Sequence, residues 1–344
     1  MADLGPAELV AGIVLVALTA YVLLGGADFG GGVWDLLASG PRKREQRALI
    51  AEAIGPIWEA NHVWLILVIV VLFTCFPVAF ARLAIGLHIP LSLMLIGIVL
   101  RGSAFTFRSH YGHSGEHDDT AGTSQHWGRI FAIASVGTPV MLGLCVSALA
   151  AGTLRPPGRA GFYEAYVAPW LTPFGVGVGL LTLALFAFLA AVYLTVEARE
   201  WALQEDFRRR ALGAAAAVLV TAFGTLGLAL LGAPLMGRGL TTAPWAPALH
   251  LATGVAAVIA IWALWSRRFR LARVAAAAQI SLILWGWALA QYPYLIPPDL
   301  TIRAAAAPRI TLVLSLWVLG AGALVLFPSL IYLFRVFKRA PVSP

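Results

Sequence analysis

Charge is scarce in this sequence. Asp, Glu, Lys and Arg make up only 12% of its 344 residues, against about 25% in a soluble globular domain. That shortage excludes an ordinary soluble enzyme. It also excludes an intrinsically disordered chain, which stays unfolded because it is polar and highly charged. Cysteine is nearly missing. Cys75 and Cys145 both lie inside apolar runs, at no spacing that suits zinc, an iron–sulfur cluster or a disulfide framework, and both read as small buried apolar residues. There is no P-loop, and Gly30-Gly31-Gly32 follows an apolar helix rather than a strand, so no dinucleotide fingerprint is present. Met1–Pro6 carries no basic residue and no small-residue cleavage site follows the first apolar run, so that run is expected to be a retained helix rather than a signal peptide. Long hydrophilic stretches are missing too. No loop is long enough for a soluble domain of its own, and no internal sequence repeat or low-complexity tract is evident.

Apolar residues, by contrast, make up 60% of the chain, and the mean hydropathy is +0.85. This is the composition of a polytopic membrane protein. Twelve Trp and eight Tyr fit it, because amphipathic rings favour the membrane–water interface. A bilayer core takes about 20 apolar residues per helix. Nine stretches qualify, at about 7–27, 57–80, 83–106, 128–152, 171–196, 211–232, 247–265, 272–291 and 309–334. The seventh and eighth are separated only by Arg267, Arg268, Arg270 and Arg273. Four Arg at roughly 2.5–3.5 kcal/mol each do not sit in hydrocarbon, so a tight loop is expected there. Backbone groups in lipid must be satisfied locally, which leaves helices, and the runs are too continuous for barrel strands. The expected fold is all-α: a single transmembrane domain of nine helices over 1–344.

Lys and Arg set the orientation. The loops after spans one, three, five and seven and the tail after span nine hold Arg42, Lys43, Arg44 and Arg47; Arg108 and Arg129; Arg199, Arg208, Arg209 and Arg210; the four Arg just named; and Arg335, Lys338 and Arg339. Seventeen basic residues thus lie on one side. Six lie on the other: Arg82, Arg155, Arg159, Arg238, Arg303 and Arg309. The positive-inside rule puts the N-terminus outside and the C-terminus in the cytoplasm. The net charge of +8 is spread over these short loops as a topology signal and does not point to nucleic acid.

In such a chain the informative residues are ionisable groups inside spans, each costly unless it faces protein or water. Asp28 is expected at the end of span one, Glu59 and His62 at the start of span two, and Arg101 late in span three. All four map to the cytoplasmic third of a three-helix cluster, and Glu59 and His62, three apart, share a helix face. Two readings stand side by side. A hydrated nest could take up protons, with Arg101 holding one acid ionised while another titrates. Alternatively, an interhelical salt bridge pins the helices together. Trp58 and Trp64 read as interfacial anchors, and the glycines around Asp28 allow close helix approach. His88 and His250 are isolated and fall in no haem-ligand pattern. His110, His113, His117 and His126 form a His-rich tract that reads first as a solvated loop; no metal is assigned to it.

These segments resemble the second subunit of the cytochrome bd-type quinol oxidases. Gly26-Ala27-Asp28-Phe29-Gly30-Gly31-Gly32 is similar to that family's G-x-D-x-G-x-G helix end. Pro56-Ile57-Trp58-Glu59-Ala60-Asn61-His62-Val63-Trp64-Leu65-Ile66 is similar to its P-x-W-[DE]-x-N-x-V-W-L motif, in which Trp58, Asn61 and Trp64 are the packing residues. Arg101-Gly102-Ser103-Ala104-Phe105-Thr106-Phe107-Arg108 resembles its third-helix ending, and Tyr292 to Pro298 its Pro-rich outer end of the eighth helix. The resemblance implies a bacterial plasma-membrane complex that oxidises quinol and reduces dioxygen to water. In it the haem b and haem d-type groups sit in a sister subunit I, and subunit II is a haem-free partner that stabilises it. The resemblance also implies proton uptake through the carboxylate after the motif Trp, here Glu59. It leaves room for a structural quinone or lipid in this chain, and for small accessory subunits. Two rivals remain: a proton-coupled transporter, which would need helices broken near mid-membrane, and a purely structural assembly subunit.

Overall fold

A computed structural model describes the chain over residues 5–112, 119–154 and 161–338; for 54–59, 108–112, 119–125 and 334–338 it describes the backbone alone. The order is α1 (Pro6–Leu36), α2 (Lys43–Cys75), α3 (Pro77–Gly86), α4 (His88–Gly112), α5 (Asp119–Ala151), α6 (Phe162–Tyr166), α7 (Pro173–Glu197), α8 (Trp201–Gly232), α9 (Pro234–Thr242), α10 (Ala246–Trp265), α11 (Phe269–Gln291), β1 (Tyr294–Ile296), β2 (Leu300–Thr301), α12 (Ile302–Ala305) and α13 (Arg309–Lys338). Among the described residues, eight helices are long and apolar enough to cross a membrane. The bent pair α2–α3 makes nine if it counts as one span.

That pair differs from the expected span two, which ran to residue 80. The helix stops at Cys75 and turns by 118° into α3. Pro77 is the cause: it disfavours helical backbone at the residue before it, and Phe76 sits at φ −136°, ψ 56°. The freed carbonyl of Cys75 accepts the Ala307 N–H at 2.8 Å, which pairs that buried group. Ala233 and Pro234 repeat the device between α8 and α9, with Ala233 at φ −141°, ψ 69°.

The repetition extends further, although no sequence repeat is evident. Elements α1 to α5 and α7 to α11 follow one plan: a long helix, a second long helix with arginines in its first three turns, a short Pro-initiated helix, and two more long helices. In each half the first helix packs on the second and the fifth, and the fourth packs on the fifth; α1 meets α7 across the middle. The chain is therefore two related four-helix bundles. The antiparallel hairpin β1–β2, formed by the Pro-rich segment after α11, covers one end. α13 lies at the edge, with Trp317 75% exposed.

Several helices run past the expected boundaries. Lys43, Arg44 and Arg47 stand on the first turns of α2, Arg129 on α5, Arg208, Arg209 and Arg210 on α8, and Arg270 and Arg273 on α11, not in loops. The Arg-rich turn between α10 and α11 is tight, as expected, with only residues 266–268 outside the helices.

Candidate functional site

Asp28 is not at a helix end. α1 continues two turns beyond it to Leu36, through Gly30, Gly31 and Gly32. At Gly30 and Gly32 neighbouring helices fill the space a side chain would need. A Cβ on Gly30 would come within 2.0 Å of the Phe186 carbonyl oxygen on α7, and one on Gly32 within 2.1 Å of Ser135 Oγ on α5. The close approach seats Asp28 in the centre of the first bundle, 0% exposed.

Arg101, on α4, meets it there. Nη1 donates to Asp28 Oδ2 at 2.7 Å, and Nη2 to Oδ1 at 2.6 Å and to the Asp28 carbonyl at 2.8 Å. Nε donates to Ser135 Oγ at 2.9 Å, and that hydroxyl donates on to the Phe131 carbonyl at 2.7 Å. The guanidinium carbon is 4.9 Å from the ring centroids of both Phe29 and Phe131. The fork geometry gives a bidentate, charge-assisted pair, and the two rings supply cation–π contact in a desolvated place. Among the described residues this is the one ion pair with both side chains at or below 2% exposure.

The structure thus brings Asp28 and Arg101 together as an ion pair between α1 and α4, a contact that both readings contain. The third helix of the cluster is chiefly α5. Ser135 and Phe131 were missed by sequence reasoning, their one available signal being that they stand one turn apart in span four, and Phe29 was quoted within the Gly26–Gly32 segment without a role. From α2, Asn61 and His62 lie close enough to act on the Asp28 carboxylate, and Asn61 packs against Gly25. Trp64 is buried in the core rather than anchored at an interface, which corrects the expectation for it. The side chains of Trp58 and Glu59 lie outside the described residues; the backbone places Glu59 on α2, one turn before His62. Asn61 Oδ1, Trp64 Nε1 and Thr138 Oγ1 are buried with no hydrogen-bond partner among the described residues, so this rim is polar as well as enclosed.

The histidines do not converge. The ring Nδ1 of His88 is 2.9 Å from the Ile85 carbonyl, and Nε2 of His250 is 2.7 Å from the Leu240 carbonyl. Both residues are exposed, and each is engaged with a carbonyl of the preceding short helix, α3 for His88 and α9 for His250, an arrangement unlike an axial haem ligand. His126 is exposed on α5; the His110 side chain and residues His113 and His117 lie outside the described residues. No group of His, Cys, Asp and Glu among the described residues is placed to hold a metal. Cys75 and Cys145 are buried free thiols.

A second polar cluster closes the end of the molecule where α1 stops. Arg42 binds Asp206 through two bonds of 2.9 and 2.6 Å, and Gln46 Nε2 donates to the same carboxylate at 2.9 Å. Arg210 donates to Gln46 Oε1 at 2.8 Å and lies over Trp34 and Phe207. Arg42 and Arg210 were read only as topology signals, yet with Gln46, Asp206 and Trp34 they clamp α1 and α2 of one bundle to α8 of the other.

A family model described as "Cytochrome bd terminal oxidase subunit II" matches residues 6–337. The chain is similar to the "Putative cytochrome bd menaquinol oxidase subunit II" of Bacillus subtilis, 25% identical over 93% of this chain and 92% of that one. It is 29% identical to the "Cytochrome bd ubiquinol oxidase subunit 2" of the same organism over 51% of this chain and 48% of that one. With the "Cytochrome bd-I ubiquinol oxidase subunit 2" of Escherichia coli it shares 26% identity over 53% of this chain and 46% of that one. The matches to the two ubiquinol oxidase subunits thus span about half of those relatives' length. A solved structure, "The structure of bd oxidase from Geobacillus thermodenitrificans", superposes with a TM-score of 0.79 at 21% identity, covering 97% of this chain and 98% of that one. That likeness establishes a shared fold.

Proposed function

The chain belongs to the family of cytochrome bd terminal oxidase subunit II, and from that membership we propose that it works as the second subunit of a membrane complex that oxidises quinol and reduces dioxygen to water. The observation that carries this reading is the extent of the match, residues 6–337, which takes in nearly the whole helical body. Haem groups of the b and d type, bound by a sister subunit I, would supply the electron transfer and oxygen chemistry; His88 and His250 are poorly suited to hold either. Subunit I, quinol and membrane lipids are the partners this reading requires.

Within that complex the chain has two tasks. The Asp28–Arg101 pair fixes α1 against α4 and α5. A carboxylate held by two N–H bonds from a guanidinium that itself lies over two aromatic rings is a staple rather than a relay, because protonating it would break the pair and leave a buried charge alone. Proton uptake then falls to Glu59, one turn before His62 on α2. The basic end, where Arg42, Arg47 and Arg210 cluster, faces the cytoplasm by the positive-inside rule, so protons enter from that side. The transporter reading loses support because α1 is unbroken through Asp28. The Pro-marked breaks at Phe76 and Ala233 lie a full helix length from the basic starts of α2 and α8.

The test is turnover per haem in assembled complex carrying Glu59→Gln, which keeps shape and removes the titrating proton. Slowed oxygen reduction with haem content intact is expected, and Glu59→Asp should retain substantial activity. Wild-type turnover in Glu59→Gln would take Glu59 out of the proton path.

A further inference from the structure

At the basic end, a cavity of about 520 Å³ opens between the end of α7, the start of α8 and the turn joining α10 to α11. Arg267, Arg268 and Arg270 line it together with Gln204. Little of the protein neutralises these three guanidiniums. Arg267 lies 3.6 Å from Glu205, but Arg208 already holds that carboxylate at 2.6 Å and Arg209 shares it at 3.4 Å. Arg268 lies over the Trp262 ring at 5.0 Å. Neither Arg268 nor Arg270 forms an ion pair among the described residues, and the next arginine, Arg273, is directed to Glu197 at 3.7 Å.

The backbone of the turn also departs from its own preference. Arg267 N–H donates to the Leu264 carbonyl at 3.3 Å and Arg268 N–H to that of Ala263 at 2.8 Å, the paired bonds that close a helix through a left-handed residue. That residue is Arg267, at φ 55°. Glycine suits the position best, so the fold alone gives no reason for an arginine. Beside the turn, Trp265, Leu271 and Val274 are exposed on α10 and α11, at the level where an apolar helix surface meets the charged end.

We propose that this cleft binds the phosphate diester of an anionic phospholipid headgroup at the bilayer surface. The guanidiniums of Arg267, Arg268 and Arg270 pair with the phosphate oxygens, for which their fork of donors is matched. The acyl chains lie along Trp265, Leu271 and Val274. Basic pockets between membrane helices on the cytoplasmic side are where such headgroups bind. Free phosphate would share the guanidinium chemistry but has no use for the apolar rim. The proposal needs only that the chain sits in its membrane complex, and its readout is independent of turnover, so it stands or falls apart from the proton role of Glu59.

The experiment is native mass spectrometry of the delipidated two-subunit complex titrated with phosphatidylglycerol, with phosphatidylcholine and inorganic phosphate as the other arms. Phosphatidylglycerol should bind, phosphatidylcholine should not, and phosphate at equal concentration should not displace the lipid. Arg268→Gln with Arg270→Gln should weaken phosphatidylglycerol binding on the order of tenfold or more, while the charge-matched pair Lys43→Gln with Arg44→Gln leaves it unchanged. Arg267→Gly relieves the left-handed turn, so it should hold or raise the melting temperature of the complex while still weakening lipid binding; this variant decides the matter if the double change fails to assemble. Wild-type lipid affinity in either cleft variant would overturn the proposal. So would equal binding of phosphatidylcholine, or displacement of the lipid by phosphate.

Discussion

Asp28 and Arg101 are worth more to the fold together than either is alone. Two hydrogen-bonded charges at this depth repay their desolvation only through each other and through Ser135 and the flanking rings. Asp28→Asn keeps the shape of the acid but leaves Arg101 buried without a counter-charge, which costs roughly 3–5 kcal/mol. The expected outcome is loss of assembled complex, measured as its yield from membranes. Replacing both partners with apolar residues, Asp28→Leu with Arg101→Met, should recover more complex than either single change, since a buried pair exchanged for well-packed side chains is often neutral. A double variant as poor as the singles would mean the pair does more than hold helices. The two charges were legible in the sequence because ionisable groups stand out in apolar runs. Ser135, Phe29 and Phe131 were not, because a serine and two phenylalanines in a membrane span look like any other core residues until a helix is laid beside them.

Among the elements, α1 organises the first bundle, and its glycines decide how closely it is approached. Gly30 is the most constrained, since a methyl group would meet the backbone oxygen of Phe186 at 2.0 Å, and a main-chain atom in the middle of α7 has no rotamer to escape into. Gly30→Ala should force α1 and α7 apart and destabilise the complex by more than the roughly 1–3 kcal/mol of ordinary overpacking, read as a fall in melting temperature. Gly12→Ala, on the same helix with nothing near its added Cβ, should be nearly silent. The helical spans were legible from apolar run length, but their ends were not. Hydropathy stops where charge begins, whereas helices α2, α8 and α11 carry their hydrogen bonds on into Arg-rich turns. The 118° bend at Phe76 was equally hidden, because Pro77 interrupts a run that stays apolar on both sides.

On the scale of the molecule, two four-helix bundles of one plan differ in what they bury. The first holds an ion pair at its centre. The second, among the described residues, buries no such pair, and its α7 turns Phe186 and Leu189 toward Gly26 of α1. The internal plan was invisible in the sequence because packing preserves helix order and length while letting side chains diverge. Orientation is the next consequence: loop reporters at Arg44, in the α7–α8 turn and near Arg267 should respond as cytoplasmic, and reporters near Arg82 and Arg303 as external. A cytoplasmic response at Arg303 would reverse the molecule and put Glu59 on the wrong side for uptake. The central claim, that this chain is half of a quinol-oxidising, dioxygen-reducing complex, is tested most directly by purifying it through a tag from its native membrane and recording the absorption spectrum together with quinol-driven oxygen uptake. The account predicts a second, haem-bearing polypeptide in constant ratio, with haem absorbance and oxygen uptake that both disappear when Asp28→Asn prevents assembly. A chain that purifies alone, stable, colourless and without oxygen uptake would contradict it.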